Sequence, residues 1–250
     1  MMKQPTRAID TTLKPKDRIF VALDVATGSE AREIVAVLSD SVGGFKIGLQ
    51  LFAATGPEFV SELIAAGNKI FLDLKFHDIP NTVAMAAVEA ARLGVWMFNI
   101  HAIGGREMMV RTVDAVHSVC GREGLAVPKI IAVTVLTSSD GNALAEVGIE
   151  SPVDEQVVRL AKLTNECGLD GVVASPKEVV AIRQTVYNVN FLLVTPGIRS
   201  VSATNNDQKR VTTFRKAVEN GSDYVVIGRP ITGAENRPVA VANILAEIED

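Results

Sequence analysis

Phe71-Leu-Asp-Leu-Lys-Phe-His-Asp-Ile-Pro-Asn-Thr82 opens as a buried strand and closes as the first turn of a helix. Ile70 to Leu74 is an apolar, β-compatible run, yet it carries Asp73 and, two residues on, Lys75. Side chains at i and i+2 of a strand share a face, so both charges point the same way, and Asp78 follows on the turn. Removing an isolated carboxylate or ammonium from water costs several kcal/mol, so such a pair is either mutually compensated or serves a ligand. Pro80 suits a first helical turn, and Asn81 or Thr82 can cap it.

The same rhythm runs outward in both directions. Short apolar runs at Ile19-Asp24, Gly44-Gly48, Lys69-Lys75, Trp96-His101, Lys129-Leu136, Gly171-Ala174, Phe191-Thr195 and Tyr224-Gly228 read as strands. Amphipathic stretches at Ser29-Ser39, Pro57-Ala66, Pro80-Leu93, Gly104-Val119, Asp154-Cys167, Pro176-Gln184, Val211-Glu219 and Ala234-Ile248 read as helices between them. Parallel strands joined by helical crossovers are implied. Eight units in a chain of 250 residues point to the α/β class and a single (β/α)8 TIM barrel. The open doubly wound sheet is the alternative, but Asp24-Val-Ala-Thr-Gly28 stands where a Gly-x-Gly-x-x-Gly would follow the first strand.

The barrel is expected over residues 18-250 as one domain, and residues 1-17 as a flexible N-terminal extension. That extension has no apolar core, so it is no secretory signal. No run approaches the roughly 18 apolar residues of a membrane span. A formal charge of −4 provides no broad basic surface for a nucleic-acid polymer. Cys120 and Cys167, both in expected helices without partner spacing, suit a reducing cytosol, and a cytoplasmic location is expected.

In a barrel, catalytic groups sit where strands end at the C-terminal rim. Asp24 after strand one, Lys46 in strand two, Asp73 and Lys75 in strand three, and Thr137 after strand five all lie there. Two aspartates interleaved with two lysines suggest ammonium groups held protonated by their neighbours, acting as electrostatic stabiliser and proton donor rather than as a Schiff-base nucleophile. The other reading is a set of structural salt bridges. Thr195-Pro-Gly-Ile-Arg199 after strand seven and Ile227-Gly-Arg-Pro-Ile231 after strand eight match the position of barrel phosphate sites: Gly228 admits backbone approach and Arg229 adds an anion partner. The polar stretch from Ile198 to Arg210 exceeds the usual roughly 2–6-residue loop and reads as a lid or as a tolerated insertion.

His77 is expected on an exposed turn, His117 on a helix flank, and His101 as a hydrogen-bonding neighbour of the site. Without a His-x-His or Cys cluster no transition-metal site is expected. Asp73 and Asp78 offer oxygen ligands suited to Mg2+, but Lys46 and Lys75 already neutralise them, so no metal is expected.

Asp-Leu-Lys-Phe-His-Asp-Ile-Pro-Asn-Thr82 closely resembles the signature of the orotidine 5'-phosphate decarboxylase family. The resemblance extends from Asp17 onward through Val-Ala-Leu-Asp24, Phe-Lys46-Ile-Gly, Asn-Ile-His-Ala-Ile-Gly-Gly105, Val-Thr-Val-Leu-Thr-Ser138, Thr-Pro-Gly-Ile-Arg199, Asp-Gln-Lys-Arg210 and Gly-Arg-Pro-Ile231. It implies a homodimeric barrel converting orotidine 5'-monophosphate to uridine 5'-monophosphate (UMP) and CO2, the last step of de novo UMP synthesis, without metal or organic cofactor. By position, Asp24 and Lys46 would contact the ribose and order the charges, Asp73 would lie beside the substrate carboxylate, and Lys75 would protonate C6. Asp78 and Thr82 would serve the partner subunit's site. Thr137 would meet the pyrimidine, Gln208 would bridge base and phosphate, Arg229 with the backbone of Gly228 would grip the phosphate, and Arg199 would support the lid. The departures are mild: Ser200 stands where proline is frequent, and Asn205-Asn206 is unusual in the lid. Rival readings are the Mg2+-dependent barrels that share Asp-x-Lys-x-x-Asp, such as 3-keto-L-gulonate 6-phosphate decarboxylase and hexulose-phosphate synthase, and a non-catalytic nucleotide-binding barrel. The former carry an acidic ligand on strand two, where this chain has Lys46.

Overall fold

Strand and helix alternate through the chain, and the strands close on themselves. The computed structural model describes residues 13–198 and 212–249. The strands are β1 (Ile19–Ala22), β2 (Gly44–Gly48), β3 (Ile70–Phe76), β4 (Met97–His101), β5 (Lys129–Val133), β6 (Gly171–Val173), β7 (Leu192–Pro196) and β8 (Tyr224–Ile227). Each pairs in parallel with the next, and β8 returns to β1 with Ile19 opposite Val225. Closure leaves no sheet edge, and the crossovers cover the outer face with α1 (Gly28–Leu38), α2 (Leu49–Ala65), α3 (Pro80–Arg92), α4 (Gly105–Glu123), α5 (Gly141–Glu146), α6 (Val153–Glu166), α7 (Val179–Thr185), α8 (Phe214–Glu219), α9 (Arg229–Thr232) and α10 (Arg237–Glu249). The expected (β/α)8 TIM barrel is the observed fold.

Strand periodicity decides which side chains enter the barrel. Ile19, Val21, Ile70 and Leu72 face outward and pack with the helices. Phe20, Ala22, Phe71, Met97, Ile131 and Val226 form a second cluster, inside. Continuing the alternation past Phe71 brings Asp73 inward. At the barrel floor Phe20 stacks on Trp96 with ring centroids 5.1 Å apart, and Tyr224 meets both edge-on. Leu13 packs beneath this cluster.

Several boundaries differ from the sequence expectation. Residues Pro15–Arg18, at the join of the expected extension and the barrel, form a 3-10 turn, and Lys16 Nζ donates to Asp40 O. The helix expected from Pro57 begins eight residues earlier, at Leu49. Gly56, at φ 73°, kinks α2, and Pro57 then starts its second half as a first-turn proline. β5 stops at Val133 rather than Leu136; just beyond it Thr134 donates its backbone N–H at 3.3 Å and its Oγ1 at 3.0 Å to the same acceptor, Val173 O. The short α5 was not expected; Asp140 caps it by accepting from Ala143 N at 3.0 Å.

Candidate active site

The C-terminal rim holds a cavity of about 420 Å³, lined by Asp24, Lys46, Asp73, Lys75 and Thr137 together with an apolar wall that includes Val133, Val173 and Val226. Four consecutive charges run along one side of it. Lys46 Nζ lies 3.0 Å from Asp24 Oδ1 and 3.2 Å from Asp73 Oδ2, and Lys75 Nζ lies 2.7 Å from Asp73 Oδ1. Sign alternates along the row Asp24, Lys46, Asp73, Lys75, so the row is neutral as a whole.

Exposure rises from the centre of the row to both ends. The side chains of Lys46 and Asp73 are 10% and 12% exposed, that of Lys75 37% and that of Asp24 64%. The central pair is therefore held in a desolvated setting, where opposite charges compensate one another, and Lys75 reaches the open cavity. Gly48 leaves room for the Lys46 ammonium: a Cβ there would stand 3.2 Å from Lys46 Nζ.

Asn99 on β4, fully buried, completes the cluster. Its Nδ2 donates to Asp73 Oδ1 at 2.6 Å, and its Oδ1 accepts from the Lys75 backbone N–H at 2.8 Å. Both oxygens of Asp73 are thus engaged, Oδ1 by Lys75 and Asn99 and Oδ2 by Lys46. The sequence reading did not single out Asn99. The signal available was a polar residue on the inward face of an otherwise apolar strand, between Met97 and His101.

His101, at the end of β4, packs against His77 with ring centroids 5.5 Å apart and the rings tilted by 39°. Its pKa is lowered from the ordinary 6.5, chiefly by burial and then by the positive charges of His77 and Lys75, against which Asp73 pulls the other way. His77 and His117 are exposed, as expected.

The remaining expected residues divide by location. Thr137 and Gly228 line the cavity. Arg229 is exposed and opens α9, directly after Gly228. Asp78 and Thr82 are exposed at the start of α3 and do not line the cavity; Asp78 Oδ1 accepts from Ile79 N at 2.7 Å. Arg199, Gln208 and most of the expected lid lie outside the described residues. Among the described residues no group of three or more His, Cys, Asp or Glu side chains is arranged to hold a metal ion, and no helix is long and apolar enough to cross a membrane.

The model of the orotidine 5'-phosphate decarboxylase / HUMPS family matches residues 17–244. A protein of Geobacter sulfurreducens named orotidine 5'-phosphate decarboxylase is 52% identical over 233 residues, 93% of this chain and 96% of the relative. One of Nitrosospira multiformis with the same name is 48% identical, over 93% of this chain and 94% of its own. Among solved structures, orotidine 5'-phosphate decarboxylase from Lactobacillus acidophilus superposes with a TM-score of 0.79 at 38% identity, covering 93% of this chain and 99% of that one. The enzyme of the same name from Pyrococcus horikoshii gives 0.73 at 26% identity, with the same coverage. With a family match over nearly the whole barrel, the chain belongs to the orotidine 5'-phosphate decarboxylase / HUMPS family.

Proposed function

We propose that this chain decarboxylates orotidine 5'-monophosphate to uridine 5'-monophosphate and CO2, the last step of de novo UMP synthesis, with no metal or organic cofactor. The observation that carries this reading is the alternating row Asp24, Lys46, Asp73, Lys75 along one wall of a cavity of ligand size. Relatives about half identical over almost their full length and named for this reaction support the decarboxylase branch of the family over its sugar-phosphate branch.

In this mechanism the bond from C6 to the carboxylate breaks, CO2 departs, and the electron pair stays on C6, where the pyrimidine ring delocalises it poorly. Nothing covalent offsets that charge, so fixed electrostatics must. The Lys75 ammonium, anchored by Asp73, stabilises the developing carbanion, then transfers a proton from Nζ to C6 and regains one from solvent. Lys46, held between Asp24 and Asp73, keeps Asp73 fixed while its neighbour Asp24 meets the ribose. Thr137 faces the pyrimidine. Phosphate falls to Arg229 and the Gly228 backbone, and Arg199 and Gln208 close the lid over it, so that remote binding energy is expressed at the reacting carbon.

The active species in this reading is a homodimer in which Asp78 and Thr82 reach the partner's cavity. Their exposure outside their own cavity supports this, as do the apolar side chains left uncovered nearby, among them Ile79, Met85 and Ile103.

The test is the loss of orotidine 5'-monophosphate absorbance with purified protein, with and without EDTA. Equal conversion to UMP in both arms is expected. Conversion abolished by EDTA would move the chain to the Mg2+-dependent branch. UMP binding without conversion would identify a nucleotide-binding barrel.

A further inference from the structure

Lys75 has a backbone φ of 54°, alone among the described non-glycine residues in being positive. That region crowds Cβ against the following carbonyl, and lysine has no side-chain group that eases it. The cause lies in the pairing of β3 with β4. Leu72 stands opposite Phe98 and Phe76 opposite Ile100, so Asp73, Leu74 and Lys75 together face Asn99 alone. The ladder cannot serve three residues with one, and the Lys75 N–H is left to find another acceptor.

Asn99 supplies it. Its amide is a short planar group carrying one acceptor and one donor on the same end. An N–H can only donate, so the Lys75 backbone fixes Oδ1 toward itself, which turns Nδ2 toward Asp73. One side chain thereby holds the lysine's backbone and, from the other side, the rotation of the aspartate's carboxylate: Oδ1 toward Lys75, Oδ2 toward Lys46.

We propose that Asn99 is a positioning residue of this site, a splint across the bulge in β3 that sets Lys75 and Asp73 relative to each other and so aims the ammonium. This deepens the decarboxylase reading and rests on it for its kinetic consequence. A buried asparagine kept only to satisfy the core would influence how much protein is folded; a splint influences how the folded protein turns over.

The experiment compares the full chain with Asn99→Leu, which removes acceptor and donor at similar size, and Asn99→Asp, which keeps the acceptor but sets a second carboxylate against Asp73. Two quantities are read: kcat and KM for orotidine 5'-monophosphate, and amide hydrogen exchange at Lys75 against the paired barrel amides of Phe98 and Ile131. In Asn99→Leu, kcat is expected to fall about 100-fold with KM changed by no more than about threefold, since misplacing a reacting group acts on the chemical step. Lys75 exchange quickens while Phe98 and Ile131 stay protected. In Asn99→Asp, Lys75 exchange stays slow and kcat falls nonetheless. The proposal is overturned if kcat in Asn99→Leu stays within about threefold of the parent, or if all barrel amides lose protection together and kcat merely follows the folded fraction. Should Asn99→Leu not fold, a parental kcat in Asn99→Asp overturns it equally. An inactive parent chain would refute the decarboxylase reading, and unchanged Lys75 exchange in Asn99→Leu would then refute the splint by itself.

Discussion

At the scale of single residues, the charged row separates chemistry from stability. Lys75 is the end of the row that follows Asp73, and removing it leaves Asp73 with Lys46 and Asn99. Lys75→Ala is therefore expected to lower kcat about 10,000-fold while the melting temperature barely moves. Asp73 is the centre, and removing it strands the buried Lys46 ammonium between a mostly exposed carboxylate and another lysine. Asp73→Ala is expected to lose activity and also about 3–5 kcal/mol of stability, read from the urea midpoint; a stable Asp73→Ala protein would show that burial of Lys46 needs no counter-charge. His101 gives a pH signature. Its pKa in the folded chain lies below the ordinary 6.5, so it contributes stability above that pH and loses it as pH falls, because the unfolded chain takes up the proton first. Between about pH 6.5 and 5 the melting temperature should drop more steeply in the parent than in His101→Gln; parallel curves would count against it. The four charges were legible in the sequence because a charge in an apolar strand is costly and so conspicuous. Asn99 was less conspicuous, because a neutral amide costs less to bury than a charge and only its place on the inward face of an apolar strand marked it. The bulge that needs it was equally hidden: no glycine or proline marks Asp73-Leu-Lys75, and regular alternation already put both side chains on one face.

Secondary-structure elements show where local signals compete. The kinked α2 contains its own explanation in Thr55-Gly56-Pro57: a proline suits a helix start, so the local signal marks the second half of α2 and hides the first. Just beyond the end of β5, Thr134 finds its partner on β6, a contact between segments 39 residues apart that no local pattern contains. α7 illustrates how an element is anchored by charge where packing alone would be thin. Arg183 in its last turn donates to Phe191 O at 2.6 Å, to Gly221 O, and to Asp223 Oδ2 at 2.6 Å, while that same carboxylate oxygen accepts from Leu193 N at 2.7 Å. One guanidinium thus ties the helix to the entry points of both β7 and β8. Arg183→Ala leaves the Asp223 carboxylate buried without this partner, and a loss of about 3–5 kcal/mol in chemical denaturation is expected. A loss within experimental error would show that the remaining partners of Asp223 suffice to hold it.

Over the whole molecule, the barrel was the most legible feature, since eight repeats of one rhythm outvote any single misplaced boundary. Closure itself is a long-range event, yet repetition of parallel crossovers leaves few alternatives once the count reaches eight. The order of the strands around the barrel has a further effect. Asp24, Lys46, Asp73, Lys75 and Asn99 all come from β1 to β4 or the loop just after β1, which are neighbours both in the chain and in space. The facing wall, with Thr137, Pro196, Gly197 and Gly228, comes from the second half of the chain. In the proposed reading the charged row belongs to the first half of the chain, and the phosphate and pyrimidine contacts belong to the second. Substitutions confined to the second half of the gene would therefore reshape the wall opposite the row while leaving the row's own residues unchanged.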